Sequence, residues 1–194
     1  MSRASVGAVI LAAGPSTRLG QPKQLLEAHG TTLLRFLATE ALASSCDRVA
    51  VVLGASAPGA GAALGGLGVS LVRNALWEEG IASSIRCGVS WATREGYDAI
   101  LLMLCDQPRL RREHLECLLL AFRTTGSIVA SRYDGVLGAP AIFDRGTFAD
   151  LLALRGERGA RGILRGARRI VALDWPDGAV DIDRPEDLPE LSRT

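Results

Sequence analysis

Apolar residues fall along this chain in two rhythms. Continuous runs at 6–13 (VGAVILAA), 48–54 (RVAVVLG) and 97–105 (YDAILLMLC) have the pattern of strands buried on both faces. A shorter run at 69–72 predicts a further strand. Helical spacing lies between them. Thr31 or Thr32 caps a helix to about Ser45, with Leu33, Leu34, Leu37, Ala41 and Leu42 on one face. Helices follow at 83–93 and at 112–123, the latter turning Leu115, Leu118, Leu119 and Phe122 inward. The Ala/Gly-rich stretch between the second and third strands supports at most a weak helix around Pro58–Leu64.

The last third alternates again. Strands at 127–130 and 140–143 flank an Asp134-Gly135 turn, and helices follow near 146–154 and 158–166. Strands at 169–173 and 179–182 precede a closing helix opened by Arg184-Pro185-Glu186-Asp187, with proline suited to a first turn. Alternating strands and helices predict one α/β domain, a three-layer αβα sandwich around a mostly parallel twisted sheet. In such sheets ligands sit beyond the carboxyl ends of the strands. That directs attention to 13–24, 105–108 and 180–187.

Composition narrows the function classes. The 194 residues suit a single domain, and 48% hydrophobic with 22% charged residues is globular. A net charge of +1 names no nucleic acid or other polyanion as partner. The apolar runs are shorter than the roughly 20 residues of a membrane helix, and Met1–Ser5 lacks a cleavable signal pattern. A soluble cytoplasmic protein with no membrane partner is expected. Cys46, Cys87, Cys105 and Cys117 form no CxxC pair and read as buried, inert thiols. His29 and His114, with no ligand-spaced neighbours, read as surface or capping residues.

Three segments carry candidate chemistry. Gly14, Ser16, Thr17, Arg18, Gly20 and Lys23 directly follow a buried strand, where backbone N–H groups can cradle an anion and two cations suit a polyphosphate. The loop is neither of the two common phosphate patterns: Gln21 follows Gly20 where a Walker loop has lysine, and Ser16 stands at the second glycine of GxGxxG. An ordinary turn with solvated basic residues remains open. Of 22 lysines and arginines Lys23 is the one lysine, which hints at a need for a compact ammonium. Asp106, at the tip of the most hydrophobic strand, is placed either to hold Mg²⁺ or to cap the following turn. Asp181 and Asp183 share one side of an extended segment. Asp183 is equally an N-cap, or completes a metal site if its strand lies beside the one ending in Asp106. Ser83, Ser84 and Arg86 fit a plainly capped helix or a ligand contact, and Gly156–Arg161 is a basic turn whose default is solvation.

In order along the chain, LAAGPSTRLGQPKQLL, NALWEEGIASSIRCG, LCDQP, GAPAIFDR, LRGERGAR and DIDRPEDL resemble the MobA-like NTP transferases of the nucleotide-diphospho-sugar transferase fold, and within them the molybdenum cofactor cytidylyltransferase group. The resemblance implies transfer of CMP from CTP to molybdopterin with release of pyrophosphate, with Mg²⁺ as cofactor and a molybdoenzyme as client. It also implies roles. The backbone of Leu11, Ala12, Ala13 and Gly14 would receive base and ribose, Arg18 and Lys23 the triphosphate, and Asp106 with Asp183 the metal. Ser83, Ser84 and Arg86 would line the nucleotide or acceptor pocket. Two positions depart from the family: Ala139 stands where histidine is usual, and Glu157 where aspartate is usual. GTP or a sugar phosphate in place of these substrates, or a non-catalytic cofactor chaperone, are the competing readings.

Overall fold

The computed structural model describes residues 3–54 and 59–192. The first apolar run forms β1 (Val6–Ala12), buried along its whole length. A small hairpin of β2 (Glu27–Ala28) and β3 (Thr31–Thr32) follows, then α1 (Leu33–Ala43), where the Thr32 side chain accepts from Arg35 N as its N-cap. Next come β4 (Arg48–Leu53), α2 (Ala60–Ala63), β5 (Ser70–Arg73), α3 (Ile81–Glu95) and β6 (Ala99–Leu104). The remainder is α4 (Arg112–Thr125), β7 (Ile128–Tyr133), β8 (Val136–Asp144), α5 (Phe148–Ala153), α6 (Arg161–Gly166) and β9 (Ile170–Asp174).

Seven strands make one sheet in the order β5-β4-β1-β6-β8-β7-β9. β5, β4, β1 and β6 are parallel. The tight turn at Asp134-Gly135, both with positive φ, sends β8 back antiparallel to β6 and β7. β9 is again parallel to β7. Successive residues of β1 point to opposite layers. Val6, Ala8, Ile10 and Ala12 pack with Leu34 and Leu37 of α1 and Leu115, Leu118 and Phe122 of α4. Val9 and Leu11 pack with Ile85 and Val89 of α3 and Phe148 and Leu151 of α5. Each fully buried leucine among these contributes about 2 kcal/mol of hydrophobic free energy. The result is the expected three-layer α/β architecture, with α3 seated so close that a Cβ on Gly88 would lie 2.6 Å from Val9 Cγ1.

Several sequence expectations are corrected. Residues 179–182 are not a strand: a 3-10 turn at Pro176–Ala179 leads into extended backbone at Val180, and Ile182 N bonds to Asp106 O beyond the end of β6. The closing segment Pro185–Ser192 is a 3-10 helix, because Pro189 cannot donate the i→i−4 bond of an α-helix. Leu42 is 36% exposed rather than core, and Cys117 is exposed rather than buried. The weak helix spans only Ala60–Ala63, and the Pro58 end of that expectation lies outside the described residues. His114 is no surface residue. Its ring stacks on Trp175 at 4.7 Å and bonds through Nε2 to Ser131 Oγ at 2.7 Å. Ser131 donates to Pro140 O, so the imidazole must be the donor to Ser131. No helix of the described residues is long and apolar enough to cross a membrane.

Candidate active site

β1 and β6 are neighbours with Leu11 opposite Leu104, so the segments that follow them leave the sheet at the same edge. After β1 the backbone folds on itself at Ser16, whose carbonyl accepts from Leu19 N and Gly20 N and whose hydroxyl accepts from Lys23 N at 3.1 Å. The short 3-10 turn Lys23–Leu25 then directs the lysine back toward the strand ends. Gln24, only 1% exposed, fixes the loop: its Nε2 donates to Ala12 O at 2.8 Å and Gly14 O at 3.0 Å. Sequence reasoning missed this residue. A glutamine between a lysine and two leucines carries no periodic signal of a polar side chain buried under a loop.

The three segments meet at one point. Ile182 N donates to Asp106 O at 2.8 Å, which hangs the C-terminal segment on the end of β6 by a single backbone bond. Lys23 Nζ then lies 3.5 Å from Asp106 Oδ2 and 3.3 Å from Asp183 Oδ1, while Arg18 pairs with Asp183 Oδ2 from the solvent side. Asp183 is not an N-cap. Asp187, inside the closing 3-10 helix, instead reaches back to accept from Asp183 N and Arg184 N, bonds that hold its carboxyl below the usual range. The Asp183 carboxylate is thereby left free to face the lysine.

Burial pushes the Asp106 carboxyl up, Lys23 opposes that shift, and the charge of Asp181 adds to it. Asp106 Oδ1 is buried without a hydrogen-bond partner. Among the described residues no group of three or more His, Cys, Asp or Glu side chains gathers as a metal cage. Two carboxylates with one orphaned oxygen fit Mg²⁺ all the same, since that ion takes one or two carboxylates and fills its shell with water and phosphate oxygens.

Beside this cluster opens a cavity of about 360 Å³, lined by Leu11, Ala12, Ala13, Gly14, Lys23, Gln24, Ser84, Asp106 and Glu157 among others. Of the serine pair, Ser84 reaches its wall. Ser83 is spent on structure, accepting from buried Asn74 Nδ2 and donating to Gly80 O. Arg86 points elsewhere, to Glu79 and to Leu154 O, and Arg18 stays at the rim on Asp183. Glu157 crosses from the opposite wall to accept from Ile81 N at 3.4 Å at the start of α3. Gly80, with φ +94, permits this approach, because a Cβ there would lie 2.7 Å from the Glu157 carboxyl.

A backbone-lined cavity with an ammonium in its wall and two carboxylates beside it is an arrangement whose chemistry suits a metal-bound polyphosphate. Comparison with known proteins gives the family. The model of the MobA-like NTP transferase domain matches residues 8–172. The chain is 31% identical to Purine catabolism protein PucB of Bacillus subtilis strain 168, over 95% of each chain. It is 29% identical to the molybdenum cofactor guanylyltransferase of Rhodobacter capsulatus, over 94% of this chain and 93% of that one. Among solved structures, the homologue of Mycobacterium tuberculosis Rv0371c from Mycobacterium sp. strain JC1 superposes with a TM-score of 0.83 at 30% identity, covering 99% of both chains. Rv0371c of M. tuberculosis H37Rv, solved in complex with manganese, gives 0.77 at 28% identity over the whole of both chains.

Proposed function

The chain belongs to the MobA-like NTP transferase family and is a nucleotidyltransferase, and from that premise we propose that it transfers CMP from CTP to the phosphate of molybdopterin, releasing pyrophosphate. The observation that carries this reading is Lys23 held between Asp106 and Asp183 in the wall of a cavity also lined by Leu11–Gly14.

The chemistry follows from charge. An oxygen of the acceptor phosphate attacks the α-phosphorus in line as the bond to the bridging oxygen breaks, and pyrophosphate leaves with the electron pair. A phosphomonoester is largely dianionic at neutral pH, so it brings its own nucleophile and no general base is required. The protein's part is to bring two anions together and to neutralise them. The backbone of Leu11–Gly14, kept in shape by Gln24, receives base and ribose. Lys23 leaves its carboxylates for the phosphates, and Arg18 adds charge at the rim. Ser84 borders the nucleotide, whereas Ser83 and Arg86 support the wall behind it. Asp106 and Asp183 would hold Mg²⁺, which supplies Lewis-acid neutralisation of phosphate oxygens. The manganese in the complex of Rv0371c supports a divalent ion in this family member too. A cytoplasmic location goes with the demand for a nucleoside triphosphate, and a molybdoenzyme would receive the product.

A second reading takes GTP as the donor, and the name of the R. capsulatus relative favours it. A pyrophosphate-release assay crossing CTP, GTP and ATP with molybdopterin and with sugar phosphates decides between them. Turnover preferring CTP and molybdopterin is expected. Preference for GTP overturns the cytidylyl assignment, and preference for a sugar phosphate overturns the acceptor. Tight nucleotide binding without pyrophosphate release from any pair would make the protein a cofactor chaperone instead.

A further inference from the structure

Two hollows adjoin the cavity that Lys23 lines. One, of about 270 Å³, shares Leu11, Ile81, Leu104 and Glu157 with it; deeper in, its walls are Leu102, Ala141, Phe143 and Leu164. The other, of about 210 Å³, is polar and contains Asp106, Gln107, Asp134 and Asp181. Arg161, at the start of α6, lines both. Its side chain is exposed, and among the described residues it has no ion-pair partner. It is also the one cation in the polar hollow's lining.

Electrostatics gives this arrangement a sense. An acceptor dianion that approaches Asp106 through the polar hollow meets the carboxylates of Asp106, Asp134 and Asp181 and is repelled by them. Lys23 and Arg18 do not line that hollow, and in the proposed reaction they serve the triphosphate. Among the residues that line the hollow, counter-charge comes from Arg161 alone, whose planar fork suits bidentate phosphate. Gln107, 2% exposed, points to a ligand independently. Its Nε2 is spent on Ala139 O at 3.0 Å, and its Oε1 is buried with no partner, an acceptor held for an incoming N–H or O–H.

We propose that Arg161 binds the phosphate of the acceptor, and that the acceptor is a phosphomonoester whose body lies in the cavity walled by Leu102, Phe143 and Leu164. This rests on the nucleotidyltransferase reading and extends it by assigning the second substrate its place.

The test compares wild type, Arg161→Ala, Arg161→Lys and the neighbouring exposed control Arg165→Ala in pyrophosphate release with CTP and molybdopterin. Arg161→Ala raises the KM for molybdopterin tenfold or more and leaves the KM for CTP within twofold; Arg161→Lys recovers part, and Arg165→Ala changes neither. The wild-type molybdopterin KM rises with salt more steeply than that of Arg161→Ala. An unchanged acceptor KM in Arg161→Ala, or an equal rise in the CTP KM, overturns the proposal while nucleotidyl transfer stands. If wild type uses a sugar phosphate but not molybdopterin, the acceptor named above falls, and the same comparison on that sugar phosphate judges Arg161. Release only with unphosphorylated acceptors overturns the Arg161 assignment alone, and release with none overturns both.

Discussion

Lys23 Nζ lies 3.3 Å from Asp183 Oδ1 across 160 residues of sequence. With Asp106 on its other side, the ammonium sits where the two carboxylates would hold a metal, so lysine and metal compete. Substituting Lys23→Ala removes the competitor. Its affinity for Mn²⁺ without nucleotide, read by electron paramagnetic resonance, rises about tenfold, while its KM for the triphosphate also rises at least tenfold. Lys23→Arg does not restore wild-type turnover, because the side chain is 14% exposed between two carboxylates and a guanidinium is larger and planar.

Asp106→Asn keeps the shape and removes the charge. Metal-dependent turnover falls by about 10²–10³ or more. The thermal midpoint holds or rises, since burial already disfavours the carboxylate there. A large fall in the midpoint would make Asp106 a structural residue.

Gln24→Leu fills the same space but strands Ala12 O and Gly14 O. Urea denaturation detects a loss of about 2 kcal/mol, and nucleotide affinity falls further than stability does because those two carbonyls shape the wall of the cavity. Equal stability with wild type would show that water replaces the amide.

Gly88→Ala sets two magnitudes against each other. Replacing glycine in a helix gains about 1 kcal/mol, while forcing a methyl into a close-packed contact costs about 1–3 kcal/mol. With Val9 Cγ1 at 2.6 Å from the added Cβ, overlap wins and the midpoint drops. An unchanged or raised midpoint would mean that α3 moves off the sheet freely.

Burial pulls the His114 pKa down to about 4, whereas an unfolded histidine titrates near about 6.5. Above the unfolded value both states are neutral and this term is fully present; as pH falls from about 6.5 to about 4 only the unfolded chain gains the proton, and stability is lost. His114→Gln, which can still donate to Ser131, narrows the difference between the melting temperatures at pH 7 and pH 5. An undiminished difference assigns the acid sensitivity to other groups.

Much of this was legible in the sequence because it follows from periodicity. The apolar runs at 6–13 and 97–105 became β1 and β6, and adjacency of such strands is enough to bring Lys23 near Asp106. What periodicity does not encode was missed. The strand expected at 179–182 has suitable residues, yet the segment bonds to Asp106 O rather than to a partner strand, a tertiary fact with no local trace. Gln24 was missed and His114 was read as a surface or capping residue because the burial of each depends on what covers it. Ser83 and Arg86 have the residue types of a ligand site, and their hydrogen bonds to Asn74, Gly80, Glu79 and Leu154 could be read only from the folded chain.

The bond from Ile182 N to Asp106 O has a consequence for folding. It closes a loop between the middle and the far end of the chain, and the lysine on the first loop completes the cluster over a still longer separation. Contacts so distant in sequence carry their full loop-closure cost before any local reward. A nascent or partly folded chain can hold β1, β4 and their helix yet lack the paired carboxylates. In the proposed function, binding of metal and triphosphate together would depend on these distant contacts, so protection by nucleotide is expected to report the folded population alone.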